Sequence, residues 1–237
     1  MKKIIKIAIE FSIDIWQLFI AYLPGEIGFR LRYLFWKKRL KFLGKNVRID
    51  ICVYFQNPQF ISIDDSCWID RGVMILAGSD TSRRKGHLFP NDKFPLDRGM
   101  VHIGKKVHIG PFSIISGIGG VYISDECGFS SGVKIYSFSN HYRSVEDPSN
   151  RKFNFGILVE HKRQYMLEGP VFLGENVGVA LNTVILPGVS IAKDSFVAVN
   201  SVVGVVMSSF GENSLIEGNP ARRVKDRFES VLHKEKI

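Results

Sequence analysis

A six-residue period of apolar residues runs through most of the chain and restricts its fold more than any other feature. Large apolar residues follow one another at this spacing at Leu173, Val179, Ile185, Ile191, Val197 and Val203. Two positions before each lies a small or β-branched residue: Val171, Val177, Thr183, Val189, Ser195 and Ser201. An amphipathic strand repeats every two residues and does not keep a six-residue period through turns. The period therefore predicts an all-β solenoid in which each hexad supplies one short strand and one corner.

The same pairing of a small and a large residue occurs in three earlier runs. The large positions are Ile63, Ile69, Ile75, Ile103, Ile109, Ile115, Ile123, Phe129 and Ile135. The small positions are Ile61, Cys67, Val73, Val101, Val107, Ser113, Val121, Cys127 and Val133. We expect the large residues to fill a narrow apolar column and the small ones to fit the corners, because stacked coils bury a face that no single coil can bury.

Two polar stretches interrupt the period. Residues 78–100 and 137–169 are rich in turn formers, and we expect both to leave the solenoid as loops. Long loops in a compact domain are usually functional. The two interruptions are therefore where we look for a site.

The first 46 residues follow a helical pattern and are treated as a segment separate from the solenoid domain, residues 47–237. Residues 4–23 are long and apolar enough to suggest a membrane span, but Lys6, Glu10, Asp14 and Gln17 interrupt them on one helical stripe. This pattern predicts an amphipathic helix. Residues 26–43 predict a second helix, rich in cations and aromatic residues, that ends at Gly44.

The positive charge of the chain is concentrated at the N-terminus. The whole chain has a formal net charge of +9, and residues 1–48 contain eleven lysines and arginines against three carboxylates, a net charge of +8. Such a segment suits an anionic surface, and no nucleic-acid motif accompanies it. We therefore consider contact with a membrane surface, or else packing of the helices over the open end of the solenoid or on a neighbouring subunit. Three cysteines without metal-type spacing fit free thiols in the cytoplasm, so the expected location is cytoplasmic, with attachment at the inner face of the membrane as the variant.

The repeat resembles that of the hexapeptide-repeat acyltransferases over roughly residues 47–226. The segment 174–203 followed by EGNPARRVKDR reproduces the order of elements in the coenzyme-binding part of that family. The resemblance implies a left-handed parallel β-helix, a homotrimer and acetyl-CoA as acyl donor, and we expect a short C-terminal helix after the coils. The branch it resembles O-acetylates saccharides, often lipid-linked, in capsule, lipopolysaccharide and exopolysaccharide assembly.

The resemblance also implies a catalytic histidine in a loop shortly after a coil strand, and His141 occupies that position. A neutral imidazole with a pKa near ~6.5 can take the proton of a sugar hydroxyl as it attacks a thioester. Its other nitrogen needs an orienting partner. Asp147 is the candidate we name, and Glu146 or a backbone carbonyl remain alternatives. Asn140 and Ser113 are candidates for binding the acceptor.

Residue by residue, the family's coenzyme-binding positions fall on the C-terminal coils. The matching residues are Gly178, Ala180, Leu181, Ala198, Val199, Ser201, Asn219, Pro220, Arg222 and Lys225. The last two suit phosphate groups, because phosphate offers concentrated negative charge and several acceptors.

Two other functions remain open from the sequence. The first is N-acetylation of an amino sugar or an antibiotic, because the loop does not specify the nucleophile. The second is a non-catalytic or metal-binding hexapeptide-repeat protein. We expect no metal, because His102 and His108 are six residues apart and should lie on adjacent faces of the prism.

Overall fold

The computed structural model describes residues 2–80, 85–89, 94–156, 158–204 and 209–229, with side chains from Phe11 onward in the first helix. Two helices, α1 (Lys2–Tyr22) and α2 (Gly25–Lys37), precede the strands. The first helix is the one that the sequence predicts, and the second ends before the predicted residue 43. None of the described helices is both long and apolar enough to cross a membrane.

Short strands follow one another along the rest of the chain. In chain order they are β1 (Phe42–Leu43), β2 (Arg48–Ile49), β3 (Tyr54–Gln56), β4 (Ile61–Ile63), β5 (Trp68–Ile69), β6 (Met74–Leu76), β7 (Lys85–Leu88), β8 (Val101–Ile103), β9 (His108–Ile109), β10 (Ile114–Ser116), β11 (Val121–Ile123), β12 (Gly128–Phe129), β13 (Lys134–Tyr136), β14 (Phe138–His141), β15 (Tyr165–Glu168), β16 (Val171–Leu173), β17 (Gly178–Val179), β18 (Val184–Ile185), β19 (Ser190–Ile191), β20 (Phe196–Val197), β21 (Val202–Val203), β22 (Ser209–Phe210), β23 (Ser214–Gly218) and β24 (Ala221–Asp226).

The coil strands form three parallel sheets, which we call the first, second and third faces. The first face contains β1, β4, β8, β11, β16, β19 and β22; the second contains β2, β5, β9, β12, β17, β20 and β23; the third contains β3, β6, β10, β13, β18 and β21. Successive strands visit the three faces in turn, so that three hexads complete one coil. The solenoid begins at Phe42, which pairs with Ser62 of the next coil, and not at residue 47 as predicted.

The apolar column is built from the predicted positions. Every large residue of the six-residue period is at most 2% exposed, and so is every small residue of the corners. Cys67 and Cys127 occupy small positions and donate their thiols to the carbonyls of Gly104 and Gly174 at 2.9 and 3.1 Å. Burial raises the pKa of Cys67 to about 11 and that of Cys127 to about 12, so both thiols are structural.

The helices close the N-terminal end of this column. Phe35, Trp36 and Leu40 are buried in the same core as the coils, and the Trp36 ring lies 4.7 Å from that of Phe55. The buried guanidinium of Arg32 donates to the carbonyls of Ile49, Ile20 and Leu23 at 2.6–2.8 Å. The helices and the solenoid therefore share one core. This arrangement agrees with the second possibility considered from the sequence, that the helices cover the open end of the solenoid.

The C-terminal end differs from the prediction. β24 runs antiparallel to β23, with Asn219 and Pro220 in the turn between them. Residues 221–226 are therefore a strand, because their backbone groups pair with the last coil, and the expected helix does not occur there. The rest of the predicted helical tail, residues 230–237, lies outside the described residues.

The two interruptions of the period also differ from the prediction, because they contain strands. β15 pairs antiparallel with β14 and parallel with β7, which joins the two excursions in a three-stranded sheet beside the coils. Both excursions leave the solenoid between the third and the first face, and two coils, β8–β10 and β11–β13, separate them along the chain. The corner that joins these two coils carries Gly119 and Gly120. A Cβ at these positions would lie 2.5 Å from the Ser137 carbonyl oxygen and 2.6 Å from the Phe94 ring, so glycine allows the excursions to approach.

Candidate active site

His141 is the last residue of β14, and its imidazole is half-buried beside the coils. Its Nδ1 lies 2.8 Å from the carbonyl oxygen of Arg143. A carbonyl can only accept, so Nδ1 carries the proton in this contact and Nε2 keeps its lone pair. Of the orienting partners left open by the sequence, the structure selects a backbone carbonyl.

The structure corrects the prediction for Asp147. Its Oδ1 accepts hydrogen bonds from the backbone N–H and the hydroxyl of Ser149, at 3.1 and 2.5 Å. The carboxylate thereby closes its own turn, as aspartate commonly does in loops. It does not orient His141, whose Nδ1 is already bonded to the Arg143 carbonyl.

Glu146 is the carboxylate that links the two excursions. It accepts hydrogen bonds from the Ser144 hydroxyl at 2.8 Å, from the Tyr165 hydroxyl, and from Nδ1 of His87 at 3.0 Å. These bonds, with that of Tyr165 the largest cause and that of His87 the next, lower the pKa of Glu146 to about 2. The ionised carboxylate therefore fastens the segment after His141 to β15 and to β7.

The register of the small sheet explains why these groups meet. His141 lies opposite Tyr165, and Ser139 lies opposite Leu167, which in turn lies opposite His87. Alternate residues of a strand share a face, so His141, Tyr165 and His87 point to the same side of this sheet. From the sequence, His87 is interpreted as a solvated loop residue, and no pattern marks Tyr165. The reason is that two segments so distant in sequence pair only when the chain folds.

An ion pair holds the opposite side of the small sheet. Glu168, at the end of β15, is buried and accepts hydrogen bonds from two nitrogens of the Arg98 guanidinium. The bond to Glu168 raises the pKa of Arg98. Arg98 ends the first excursion and Glu168 ends the second, so this pair fixes both where they rejoin the coils.

The structure does not favour the two residues predicted to bind the acceptor. Ser113 occupies a small corner position, is 1% exposed and donates its hydroxyl to the Ser130 carbonyl at 3.3 Å. Asn140 precedes His141 on β14 and so points to the other face of the small sheet. Its amide donates to the Phe155 carbonyl at 2.7 Å, which ties down the second excursion. Both side chains have structural partners instead of an open surface.

The predicted coenzyme residues lie together on the last coils. Gly178 pairs with Phe196 on the second face, and the N–H groups of Ala180 and Ala198 bond to the coil that follows each of them. Leu181 and Val199 follow at the same corner of successive coils and are about half exposed.

The remaining predicted coenzyme residues belong to the C-terminal hairpin or support it. Arg222 is exposed on β24, Lys225 is half-buried there, and Asn219 and Pro220 form the exposed turn. The exception is Ser201, which is buried and accepts a hydrogen bond from the N–H of Gly218 at 3.2 Å. Its hydroxyl therefore supports the hairpin.

The remaining histidines of the coils lie on different faces, as predicted. His102 is on the first face, stacked on Tyr122, while His108 is on the second face with Nε2 2.9 Å from Asp70. Among the described residues, no three His, Cys, Asp or Glu side chains are grouped so that they could hold a metal ion.

Solved structures with the same fold are enzymes of acyl transfer. AntD, an N-acyltransferase from Bacillus cereus solved with dTDP and coenzyme A, superposes with a TM-score of 0.63 at 22% identity, over 80% of this chain and 86% of that one. A hexapeptide-repeat acetyltransferase from Vibrio cholerae, solved with acetyl-CoA, gives 0.51 at 20% identity, over 92% and 87%. The left-handed parallel β-helix that the sequence predicts is confirmed.

Two named relatives are similar in sequence, although no family model matches the chain. The dTDP-4-amino-4,6-dideoxy-D-glucose acyltransferase of Escherichia coli is 29% identical over 197 residues, 83% of this chain and 88% of that protein. A probable macrolide acetyltransferase of Lysinibacillus sphaericus is 31% identical over 132 residues, 53% of this chain and 63% of that protein. The repeat, the fold and these relatives support the predicted resemblance to the hexapeptide-repeat acyltransferases.

The named relatives confirm the predicted enzyme class, an acyltransferase. The coils of this chain are regular and apolar inside, whereas the two excursions bring together His141, His87, Tyr165 and Glu146. The reactive side chains are thus concentrated where the repeat is interrupted.

Proposed function

We propose that this protein transfers an acetyl group from acetyl-CoA to a hydroxyl group of a saccharide, with His141 as the general base. The observation that supports this most directly is the 2.8 Å contact between Nδ1 of His141 and the Arg143 carbonyl, which in the neutral imidazole favours the lone pair on Nε2. Nε2 takes the hydroxyl proton as the oxygen attacks the thioester carbonyl, and a tetrahedral intermediate forms. The carbon–sulfur bond then breaks, and the imidazolium returns the proton to the departing thiolate of coenzyme A.

The coenzyme is proposed to lie along the last coils, between two copies of the chain in a homotrimer. Leu181 and Val199 form a half-exposed apolar strip, which suits the apolar part of a pantetheine arm or a neighbouring subunit. Arg222 and Lys225 on the C-terminal hairpin offer cations to the coenzyme phosphates. Coenzyme A or acetyl-CoA in the solved relatives supports the choice of donor.

The acceptor is proposed to be a saccharide of surface polysaccharide assembly, carried on a nucleotide or a lipid. The Escherichia coli relative is named for a dTDP-linked sugar, and AntD was solved with dTDP. The two excursions would contribute the acceptor surface, since they lie beside His141.

N-acylation of a nucleotide-linked amino sugar is the second candidate, favoured by the same two relatives. The two reactions place different demands on His141. A hydroxyl oxygen is a poor nucleophile until its proton is removed, whereas a neutral amine attacks with its own lone pair and loses its proton afterwards. Removal of the base should therefore lower kcat more with a hydroxyl acceptor than with an amine acceptor.

The test compares His141→Ala with wild type on a matched pair of acceptors. The pair is dTDP-4-amino-4,6-dideoxy-D-glucose and the same sugar with a hydroxyl at C4, each with acetyl-CoA and detection of the free thiol. We expect kcat with the effective acceptor to fall about 10²–10⁴-fold with the thermal midpoint unchanged. His108→Ala, an exposed histidine on the second face, is the control. Near-normal turnover by His141→Ala would refute His141 as the general base. Turnover by wild type with the amino sugar alone would favour N-acylation, the second candidate function.

A further inference from the structure

The first helix presents its apolar side away from the protein. Phe11, Ile15, Leu18, Phe19 and Tyr22 are each more than half exposed. Their spacing of four, three, one and three residues places them on one stripe of the helix. The side toward the coils is narrower and is centred on Ile20, which is 1% exposed.

The groove between α1 and the first coil takes up little of the helix. Asp14, Gln17, Leu18 and Tyr22 line it opposite Val53 and Tyr54, and Asp14 is exposed there while Gln17 is half-buried. An ordinary surface helix buries its apolar stripe and exposes its polar one. Among the described side chains of α1 only Ile20 is buried, so the outer stripe is an exposed apolar surface of the kind that marks an interaction site.

The second helix adds positive charge to the outer side of the helical pair. Its inner stripe, with Arg32, Phe35 and Trp36, is buried on the coils. Ile27, Arg30, Leu34 and Lys37, followed by Lys38, are exposed at spacings that form another stripe, and the exposed Glu26 beside them pairs with Arg48. This stripe alternates large apolar side chains with cations.

Apolar residues combined with cations favour a lipid surface over a second copy of the chain. The centre of a protein–protein interface is depleted of charged residues, lysine above all. At an anionic bilayer, in contrast, cations pair with headgroup phosphates while neighbouring apolar side chains enter the acyl boundary. Trp16 and Tyr22 at the edges of the stripe suit the headgroup level. The net charge of +8 over residues 1–48 is opposite in sign to the charge of an anionic bilayer.

We infer that the helical pair α1–α2 docks this enzyme on the surface of an anionic bilayer. α1 lies in the plane of the interface with Phe11, Ile15 and Phe19 inserted, while Arg30, Lys37 and Lys38 contact headgroups. Ile20 and Arg32 keep the pair fastened to the first coil. The inference is independent of the acyl acceptor, because it rests only on the helices.

The test measures binding of the full-length protein to vesicles by co-sedimentation, with equal parts of phosphatidylglycerol and phosphatidylcholine, and with phosphatidylcholine alone. One variant replaces Phe11, Ile15 and Phe19 with glutamine, which keeps helix propensity. A second replaces Arg30, Lys37 and Lys38 with glutamine. The matched control replaces three exposed phenylalanines outside the helices, Phe60, Phe112 and Phe155, with glutamine.

We expect wild type and the control to bind the anionic vesicles and both helix variants to lose most of that binding. The charge variant should lose about 10²-fold in partition coefficient, since each cation near an anionic surface contributes roughly fivefold. Circular dichroism checks that each variant is folded, and the Trp16 emission should shift to the blue on binding. Equal binding of wild type and the apolar variant would overturn the inference. So would a change of oligomeric state in that variant without vesicle binding by wild type, because a second copy would then cover the stripe.

Discussion

The coils of the β-helix and the small sheet formed by the two excursions are stabilised by different interactions. In the coils, aliphatic residues such as Ile69, Ile109 and Ile185 are fully buried and pack on their counterparts in the next coil. In the small sheet, hydrogen-bonded carboxylates hold the strands together: Glu146 bonds to His87 and Tyr165, and Glu168 forms an ion pair with Arg98. Apolar burial has no direction, whereas a hydrogen-bonded ion pair fixes angles as well as distances.

We therefore expect the coils to determine the stability of the protein and the small sheet to determine its catalytic activity. Each coil buries apolar area against its neighbours, so loss of one core contact weakens the interfaces with the coils on either side. As the proposed base, His141 needs one orientation, and the Arg143 carbonyl and the Glu146 cluster are the groups that would fix it. Variants in the two regions should therefore change different measured quantities.

The largest effect on stability is expected in the coils. Ile109→Ala removes a fully buried side chain between Ile69 and Phe129 and leaves a cavity, because the coils on either side cannot collapse onto it. We expect the free energy of unfolding to fall by about 2–5 kcal/mol, with kcat per folded molecule unchanged. Chemical denaturation measures the first and active-site titration the second. Leu158→Ala, on a nearly fully exposed side chain of the second excursion, is the control and should change stability by less than about 0.5 kcal/mol.

The next effect is expected in the small sheet, on catalysis. Glu146→Gln removes the charge that fastens the segment after His141 to Tyr165 and His87. The resulting shift of the Arg143 carbonyl should lower kcat by up to about 10²-fold, with the KM for acetyl-CoA unchanged. Asp147→Asn is the matched control and should keep near-normal kcat. The opposite ranking of the two variants would restore Asp147 as the partner of the base.

The lowered pKa of Glu146 predicts that the stability of the folded protein depends on pH in the acid range. The pKa of Glu146 is lowered from 4.5 to about 2 in the folded protein, so its contribution to stability is complete above pH 4.5. It is lost as the pH falls from 4.5 toward 2, because the folded state must then take up the proton that the unfolded state already holds. Thermal midpoints of wild type and Glu146→Gln should therefore converge over that range, by a modest amount because the carboxylate is largely exposed. A gap between the two midpoints that widens in acid would contradict this.

The smallest effect is expected at Ser113. Ser113→Ala removes one long hydrogen bond to the Ser130 carbonyl inside a corner, so stability should fall by about 1 kcal/mol or less. The KM for the acceptor should not change, since the hydroxyl does not reach the surface. A clear rise in that KM would show that the serine contacts the acceptor after all.

The agreement between sequence and structure is best where interactions are periodic. The hexads predict which residues fill the column because each large residue occupies the same environment in every coil, and Ile63 through Val203 are buried accordingly. The prediction fails at residues 221–226, because pairing with β23 decides their structure. Acceptor binding by Ser113 stays a prediction, which the burial of that side chain in a corner does not favour.

The sequence by itself determined the coil geometry, the helical N-terminus and His141 as the histidine after a coil strand. Those follow from local spacing, which a single sequence displays. Only the tertiary structure decided that a backbone carbonyl orients His141, that His87, Tyr165 and Glu146 form one cluster, and that α1 points its apolar stripe outward. The physical reason is that these features depend on which distant segments meet, and β7 and β15 are joined by hydrogen bonds that no spacing along the chain records.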